Sequence, residues 1–342
     1  MIEFVFTIDY ELYGNGEGSL KELVYEPAER LKACFEKWNA RFVAFIEVAE
    51  LEMIEANNTD QAINLVKNQI REFYWKGYEL GLHLHPQWYN ARYENGRWQL
   101  DYSEYNLCTL PPELIKKIVD RSIEYLRKIL GLSDFTPSSF RAGNWLFQPT
   151  HTLAKVLVDH GVKVDSSVFK GGLQHQHKLD YRSALKNGYY WSFTDDVNVP
   201  DPQGTLIEFP IYAKMVPIWK LLTNKRIGLQ RKVPTGTRTG KERLFRIIDF
   251  LRFCQSLKFD FCRMTLKELI HLLDKEIQQD QKDPKLFRPI IAIGHTKDLI
   301  DFETVESLLC YLRRKEVGVS TFRDVYRKMK ILGEGADGRG IA

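Results

Sequence analysis

Short apolar runs alternate along the chain with segments in which apolar residues recur every three or four positions. The runs have the length of buried strands, and the recurring pattern is typical of amphipathic helices. Strands are predicted at residues 2–8, 41–47, 78–85, 138–141, 162–168, 189–193, 205–212, 289–295 and 318–321. Helices are predicted at residues 27–39, 50–76, 111–130, 150–160, 241–256, 265–279 and 302–315. This alternation predicts an α/β fold with a mainly parallel sheet.

Polar residues with useful chemistry come at the C-terminal ends of the predicted strands. They are Asp9, Glu11, His83, His85, Arg141, Asp165 and His295. In a parallel barrel these strand ends converge on one mouth, so a barrel explains the pattern better than an open sheet. No Gly-rich phosphate loop of the Rossmann form follows the first strand, which argues against a dinucleotide site. We expect one domain over residues 1–330, an exposed linker at 233–241 and a disordered tail at 331–342.

Composition and charge narrow the class of protein. A hydrophobic share of 44% is enough to bury a large core. The formal net charge is only +4, with acidic and basic residues intermixed, so no nucleic-acid partner is expected. Residues 220–246 are locally basic. Such a run is usually a solvated surface, and it could also meet an acidic polymer, a nucleotide sugar or a membrane surface.

The cysteines and the first residues bear on the compartment. The chain has five cysteines without a CxxC spacing, which indicates reduced thiols and no disulfide framework. Residues 1–9 lead directly into a strand, without the basic and apolar regions of a signal peptide. No apolar run is long enough to span a bilayer. We therefore expect a cytoplasmic protein with no transmembrane segment.

Two histidines at the end of the third predicted strand are well spaced to hold a metal. His83 and His85 are two residues apart, so on a strand they point to the same face, and Pro86 ends the strand. Imidazole pairs of this kind bind divalent metals. The alternative is two ordinary histidines where a strand meets a loop. Asp9 and Glu11 are also two apart and place both carboxylates on one face.

Five motifs in one order carry a family resemblance. They are TIDYE at residues 7–11, ELGLHLHP at 79–86, FRAGNW at 140–145, DSS at 165–167 and IGH at 293–295. Together they resemble the polysaccharide deacetylase family, carbohydrate esterase family 4. The Asp-Tyr-Glu and His-x-His-Pro forms are similar to a branch of deacetylases encoded with surface-polysaccharide (O-antigen) assembly genes. The resemblance implies a distorted (β/α) barrel of about seven parallel strands.

The resemblance also implies a reaction and a role for each motif residue. The reaction is metal-assisted hydrolysis of an N-acetyl (or O-acetyl) group on a sugar. Glu11, His83 and His85 are the implied metal ligands, and the metal is usually zinc. Asp9 is the implied base, held by Arg141, and His295 is the implied acid. Two imidazoles and a carboxylate would also suit Co²⁺, Ni²⁺, Mn²⁺ or Fe²⁺.

This chain departs from the usual family pattern in three places. The histidines of the second motif are two apart instead of four. Tyr10 separates the two acids of the first motif, so Asp9 could be the ligand and Glu11 the base. The third motif lacks the usual proline and tyrosine after Arg141.

Several residues keep a second interpretation. Asp165 is placed in the site by its motif, and it could pair with Arg141 or simply form a turn or helix cap. His295 could be a hydrogen-bonded core histidine. Asn144 and Trp145 are predicted to contact substrate. Trp88 is also predicted to do so, because tryptophans near the mouth stack on sugar rings, although most tryptophans are core residues.

Three functions are compatible with these residues. The first is a deacetylase acting on an acetylated sugar that is nucleotide-linked, lipid-linked or polymeric. The second is an inactive carbohydrate- or metal-binding barrel in a polysaccharide assembly complex, suggested by the unusual motif spacings. The third is a metal hydrolase on the same scaffold that cleaves another C–N bond. The oligomeric state is not predicted.

Overall fold

The computed structural model describes residues 1–232 and 252–335. The strands are β1 (Ile2–Tyr10), β2 (Val43–Glu47), β3 (Glu79–Leu84), β4 (Arg92–Glu94), β5 (Arg97–Gln99), β6 (Ser139–Ala142), β7 (Val164–Asp165), β8 (Leu173–Gln174), β9 (Leu179–Asp180), β10 (Trp191–Phe193), β11 (Leu206–Glu208), β12 (Ala213–Pro217), β13 (Cys254–Lys258), β14 (Arg288–His295) and β15 (Gly318–Val319). The α-helices are α1 (Glu26–Lys37), α2 (Val48–Asn57), α3 (Ile63–Trp75), α4 (Pro112–Leu130), α5 (His151–Asp159), α6 (Asn224–Lys232), α7 (Leu266–Lys282), α8 (Phe302–Arg314) and α9 (Phe322–Gly335).

Seven parallel strands form a curled sheet in the order β11-β7-β6-β3-β2-β1-β14. Antiparallel β10 extends it beyond β11, and β15 pairs with β1. The chain just after β11 reaches back to the other edge, where Ile211 forms a parallel bridge with Ile291 of β14. This bridge closes the sheet into a distorted barrel. The predicted α/β barrel of about seven strands is therefore confirmed.

Side chains along β1 explain why one end of the barrel is polar. Alternate residues of a strand point to opposite faces. Phe4, Phe6 and Ile8 pack in the large hydrophobic core between sheet and helices. The interior face begins with Val5, which belongs to a separate apolar cluster with Val43, Phe45, Val164, Ile207, Phe209 and Ile291. Thr7 and Asp9 continue the same face upward, so the interior becomes polar towards the C-terminal ends of the strands.

The last helix closes the apolar end of the barrel interior. Phe322 and Val325 of α9 are buried in the interior cluster. The ring of Phe322 lies 6.0 Å from that of Phe45 and 5.8 Å from that of Phe209, measured between centroids. Helix α9 therefore covers the apolar end, and the polar end of the interior lies at the C-terminal ends of the strands.

Two predicted helices were wrong in the described part of the chain. The helix predicted at residues 50–76 is two helices, α2 and α3, because Asn58 adopts a left-handed conformation that ends α2 and Asp60 accepts a hydrogen bond from the Ala62 N–H. The helix predicted at 241–256 ends in a segment that is strand β13, paired antiparallel with β12. Cross-strand pairing decided the structure there, against a helical apolar pattern.

The remaining predictions concern loops and the two undescribed segments. The hairpin predicted at Asn95-Gly96 is confirmed, with positive φ at both residues between β4 and β5. The predicted linker at 233–241 lies outside the described residues, as do 241–251 of the predicted helix. Helix α9 continues to Gly335, and residues 336–342 of the predicted tail lie outside the described part of the chain. Among the described helices, none has both the length and the apolar character needed to cross a membrane.

Candidate metal and catalytic centre

The C-terminal ends of adjacent strands meet at one cavity of about 410 Å³. The parallel register places Asp9 of β1 beside His295 of β14, and Glu47 of β2 beside His83 of β3. Seven of the ten predicted site residues line this cavity, namely Asp9, Glu11, His83, His85, Asn144, Trp145 and His295. We call the strand-end residues Asp9, Glu11, Glu47, His83, His85, Arg141 and His295 the cavity floor.

Glu11 stands between the two histidines in the geometry of a metal site. Its Oε2 lies 3.2 Å from Nε2 of His85 and 3.5 Å from Nε2 of His83. Its Oε1 accepts a hydrogen bond from Lys297 at 2.7 Å. Candidate ligand atoms of Glu11, Glu47, His83 and His85 all lie within 4.8 Å of one another, and all four residues are buried. One oxygen of Glu11 therefore faces both imidazoles while the other is held by a lysine.

The outer ring nitrogens of the two histidines have partners that would orient them. Nδ1 of His83 lies 2.8 Å from the carbonyl oxygen of Arg141, so Nδ1 carries the proton and Nε2 is the basic nitrogen. Nδ1 of His85 lies 3.4 Å from the Gln87 amide nitrogen and 3.2 Å from that of Asn144. Oε1 of Gln87 is buried without a hydrogen-bond partner among the described residues. Exchanging N and O of this amide would let Oε1 accept from Nδ1 and leave Nε2 of His85 basic as well.

Buried charges at the floor favour a cation. Asp9, Glu11, Glu47 and Glu50 are buried carboxyl groups, and Arg141 and Lys297 are the cations paired with them. Oε2 of Glu47 is buried without a hydrogen-bond partner in the described chain. Burial raises the pKa of Glu47, and burial with the nearby charges of Glu47 and Glu11 raises that of Glu50 well above its usual range. An excess of buried carboxylate beside two basic imidazoles fits a divalent metal.

Neighbouring groups keep the Glu11 carboxylate ionised. Burial opposes ionisation, but Lys297 and the hydrogen bonds from His83 and His85 outweigh it and hold the pKa of Glu11 well below its usual range. Burial also opposes protonation of His83, yet the charges of Asp9 and Glu11 raise the pKa of that imidazole to about 9. The site therefore attracts positive charge strongly.

Asp9 is held by the fully buried Arg141. The Arg141 guanidinium donates to Oδ1 of Asp9 at 2.6 Å, to Oγ1 of Thr7 at 2.9 Å and to the carbonyl oxygen of Ser166 at 2.9 Å. It also lies 4.2 Å above the centroid of Phe45. Gly81 makes room for that ring, because a Cβ there would lie 2.5 Å from it. Burial alone would raise the pKa of Asp9, but Arg141, His83 and His295 lower it, so the carboxylate is ionised at neutral pH.

His295 faces Asp9 from the neighbouring strand. Its Nε2 lies 3.4 Å from Oδ2 of Asp9. Its Nδ1 is buried and makes no hydrogen bond with the described residues, and Oδ2 of Asp298 lies 3.9 Å from it. Burial lowers the pKa of His295 in spite of Asp9, which favours the neutral imidazole at pH 7. Asp9 and His295 together form a pair through which a proton can pass.

Asn144 and Trp145 reach the cavity through an unusual backbone. Both are non-glycine residues with positive φ, 53° and 61°. Gly143 precedes them at a close approach, since a Cβ there would lie 2.5 Å from the Leu84 carbonyl oxygen and 2.8 Å from the His85 ring. The Trp145 carbonyl accepts a hydrogen bond from Tyr181 at 2.6 Å. Strained backbone held this way is common at functional sites, and here it lies within the FRAGNW motif, at residues 140–145.

Three predicted site residues do not line the cavity: Arg141, which is fully buried behind Asp9, Asp165 and Trp88. Asp165 is buried, and its carboxylate accepts from the Ser167 N–H at 3.0 Å and Oγ–H at 2.8 Å, which matches the turn interpretation. Arg141 contacts Ser166 instead. Burial raises the pKa of Asp165, as expected away from solvent. Trp88 is 1% exposed and packs against Trp98, with ring centroids 5.2 Å apart, so it has a packing position.

Several residues at the cavity were not predicted from the sequence. They are Glu47, Lys258, Asp260, Arg263, Lys297 and Asp298. Glu47 ends a predicted strand, so the rule that identified His83 could have identified it. Lys297 and Asp298 follow His295 directly along the chain. Lys258 and Asp260 adjoin a segment predicted as helix, so no signal pointed to them.

Comparisons with known proteins show the fold. No protein-family model matches the chain, and no curated protein matches it. A candidate polysaccharide deacetylase from Mycobacterium smegmatis is similar over 96% of this chain and 90% of its own, with 15% identity and a TM-score of 0.54. A second, from Pseudomonas aeruginosa PAO1, shares 13% identity over 95% of this chain and 90% of its own, with a TM-score of 0.48.

A 4-alpha-glucanotransferase from Thermococcus litoralis is similar to this chain in structure to a comparable degree. It covers 96% of this chain but only 40% of its own, with 15% identity and a TM-score of 0.51. Proteins named for different reactions thus share this barrel, and the likeness alone does not decide the chemistry. The fold is that of the polysaccharide deacetylases, and the reaction must be argued from the cavity floor.

Proposed function

We propose that the protein is a metal-dependent carbohydrate deacetylase that hydrolyses an acetyl group, most naturally an N-acetyl group, on a sugar. One observation carries the proposal. The cavity floor brings the carboxylate and imidazoles of Glu11, His83 and His85 together with the Asp9–Arg141 pair and His295. The structural likeness to a candidate polysaccharide deacetylase supports the same class of reaction.

Glu11, His83 and His85 would hold the metal, with Glu47 as a further candidate ligand. When bound, a divalent metal would polarise the acetyl carbonyl and lower the pKa of a water molecule from about 16 towards 7. Zinc suits this donor set, as do Co²⁺, Ni²⁺, Mn²⁺ and Fe²⁺.

Asp9 and His295 on the cavity floor would transfer the proton from the attacking water to the leaving group. Asp9, kept ionised by Arg141, would accept the proton of the attacking water. His295, 3.4 Å from Asp9, would then deliver a proton to the departing amine. Because the pKa of His295 is lowered, the imidazole is neutral before reaction and would act by passing on a proton received during it. Asn144 and Trp145 would contact the sugar at the rim.

The biological setting rests on the motifs alone. The Asp-Tyr-Glu and His-x-His-Pro forms support a role in surface-polysaccharide or O-antigen synthesis, acting on a cytoplasmic acetylated precursor. We propose that this precursor is nucleotide-linked, lipid-linked or polymeric, and that the barrel is one domain.

The metal is the first test. We expect purified protein to hold about one tightly bound divalent ion per chain, and His85→Ala to lose it. His151→Ala is the matched control, because His151 is exposed and lies outside the cavity. Metal content by mass spectrometry checks both variants. Absence of metal in the wild type after incubation with zinc would contradict the proposal.

The reaction is the second test. Acetate release from acetylated sugars by the zinc-loaded protein would support the deacetylase, and should stop on chelation. Ammonia release without acetate would identify a hydrolase of another C–N bond. Saccharide binding without either product would identify the non-catalytic barrel.

A further inference from the structure

One wall of the cavity is built by a part of the chain that contributes nothing to the cavity floor. Strand β13 and the residues after it supply Ser256, Leu257, Lys258, Asp260 and Arg263 to the lining. We call residues 256–263 the cavity wall. It is anchored by β12–β13 pairing, in which Ala213 is opposite Lys258, and by a parallel bridge between Asp260 and Ile293 of β14.

Among the residues that the structure describes, four cationic side chains line the cavity, and three of them have acidic partners. Arg226 pairs with Glu268 at 2.9 Å, Arg263 with Asp298 at 2.6 Å and Lys297 with Glu11 at 2.7 Å. The fourth is Lys258. Within residues 1–232 and 252–335, its ammonium group forms no salt bridge and no hydrogen bond.

Aromatic rings hold the Lys258 ammonium instead. Its Nζ lies 3.0 Å from the ring centroid of Trp145 and 4.6 Å from that of Phe169. Trp145 and Phe169 also pack against each other at 5.4 Å. The Trp145 backbone has a positive φ, and its carbonyl oxygen accepts a hydrogen bond from Tyr181. A cation–π contact orients an ammonium group without neutralising it.

The electrostatic surroundings of Lys258 agree with an uncompensated cation. Burial lowers the pKa of Lys258 to about 7, and the opposing effect of Asp260 is only partial. Such a group gains most when a ligand brings a negative charge, because the anion supplies the partner that the protein omits.

Since the amine faces a cavity proposed to receive a sugar, we propose that Lys258 binds an anionic substituent of the substrate, a carboxylate or a phosphate. The natural substrate is then an acidic acetylated sugar, such as a uronic acid or a glycosyl phosphate. The identification of the bound anion as part of a substrate rests on the proposed function, whereas the anion site at Lys258 does not. Trp145 lies between Lys258 and His295, with ring centroids of Trp145 and His295 6.2 Å apart, so the anion would bind beside the proposed acid.

The anion site can be tested without any acetylated sugar. Lysines of the zinc-loaded protein are labelled briefly with an amine-acylating reagent at pH 7, and labelled peptides are quantified by mass spectrometry. Glucuronate, glucose 1-phosphate and glucose are added in parallel at equal concentration and ionic strength. We expect at least one acidic sugar to reduce labelling of Lys258 about fivefold or more, and glucose to have no effect. Lys214, on the paired strand β12 but outside the cavity lining, is the internal control.

Each labelling result has a defined meaning. Protection by glucuronate alone indicates a carboxylate site, and protection by glucose 1-phosphate alone indicates a phosphate site. Equal protection by glucose would show simple occlusion of the cavity and would overturn the inference. Absence of protection by either acid, or equal protection of Lys214, would also overturn it.

A substitution then connects the anion site to catalysis. Lys258→Met keeps the length of the side chain and its packing on the rings. With an acidic acetylated substrate we expect KM to rise at least tenfold with kcat within about twofold, and with its neutral counterpart no change. Lys214→Met should behave as wild type with both. Protection of Lys258 without acetate release from any sugar would support the anion site and contradict the proposed deacetylase. Acetate release without protection of Lys258 would support the deacetylase and contradict the anion site.

Discussion

The cavity floor and the cavity wall differ in whether their charged side chains are paired with opposite charges. On the floor, Arg141 is bonded to Asp9, Thr7 and Ser166, and each floor carboxylate with a lowered pKa has a cation in contact. On the wall, the Lys258 ammonium contacts the rings of Trp145 and Phe169 and has no salt-bridge or hydrogen-bond partner among the described residues. The floor is fixed before any ligand arrives, as catalysis requires. The wall leaves one charge to be matched by the ligand, as recognition requires.

This difference predicts how substitutions will act. A change in the floor should slow the reaction of every acetylated sugar that the protein accepts. A change in the wall should alter only the preference between acidic and neutral sugars. The following predictions separate the two regions, beginning with the largest expected effect.

Asp9→Asn should lower kcat by about 10²–10⁴-fold for acidic and neutral substrates alike, because an amide cannot accept the proton from the attacking water. Asn keeps the size of the side chain, so the metal should remain bound. Steady-state acetate release and metal content are the measurements. A wild-type rate would show that Asp9 is not the base, and loss of metal together with the rate would show that Asp9 is a ligand, with Glu11 then the candidate base.

Glu47→Gln should weaken zinc binding by about 10–100-fold, whether Glu47 coordinates the ion or supports its ligands. The reason is that the unpartnered Oε2 of Glu47 belongs to the same buried group as Glu11, His83 and His85. Competition with a chromophoric chelator gives the dissociation constant. The absorption spectrum of the cobalt-loaded protein shows whether the ligand set changes.

Glu52→Gln is the control for this substitution. Glu52 lies on α2, five residues after Glu47, and pairs with Arg121 at 3.0 Å. It should bind zinc as the wild type does. Unchanged zinc affinity in Glu47→Gln would leave Glu47 as the cap of α2, where its Oε1 accepts from the Glu50 N–H at 3.4 Å.

Most of the floor could be predicted because it follows from local rules. A period of two on a strand places Asp9 with Glu11 and His83 with His85, and strand C-terminal ends converge in a parallel barrel. Glu47 obeys the same rule, but it belongs to none of the five motifs, so the resemblance does not point to it. The motif resemblance added an implied role for each motif residue, which no local pattern contains.

The wall could not be predicted, because its position depends on pairing between distant segments. Lys258 reaches the cavity only because β13 pairs with β12, about 40 residues earlier in the chain. The position of Trp88 near His85 predicts a substrate contact, but in the structure the ring packs against Trp98 of β5, a nearby contact that the pattern does not reveal. A charge without a partner is visible only once all neighbours have been placed.

The preference for acidic sugars should depend on pH through Lys258. Its pKa of about 7 is set by burial, with smaller effects from Asp260, Arg263, Asp9 and Arg141. The charged form predominates below pH 7, so the ratio of kcat/KM for an acidic and a matched neutral substrate should be highest there. Above pH 7 the ratio should fall, by at most tenfold per pH unit. Ionisation of floor residues affects both substrates and cancels from the ratio.

Lys258→Arg is the control for this pH dependence, because a guanidinium stays charged over the whole range. The ratio for this variant should be flat between pH 6 and 9. A wild-type ratio that is equally flat would remove Lys258 from the selection of charge, even if the substrate proved to be acidic.

The smallest expected effect is on stability, and its sign distinguishes wall from floor. A lysine whose pKa is lowered by folding makes the folded state bind fewer protons than the unfolded state between about pH 7 and 10.5. Its cost to stability is therefore complete below pH 7 and disappears as the pH rises past 10.5. Lys258→Met should raise the melting temperature of the ligand-free protein slightly at pH 6–7, with the gain shrinking towards pH 10.

Arg141→Met should lower the melting temperature, because it leaves the buried Asp9 carboxylate without its cation. Thermal melts of both variants across this pH range are the measurement. If Lys258→Met were less stable than the wild type at pH 6, Lys258 would be a residue that stabilises the fold and not one left unpaired for a ligand.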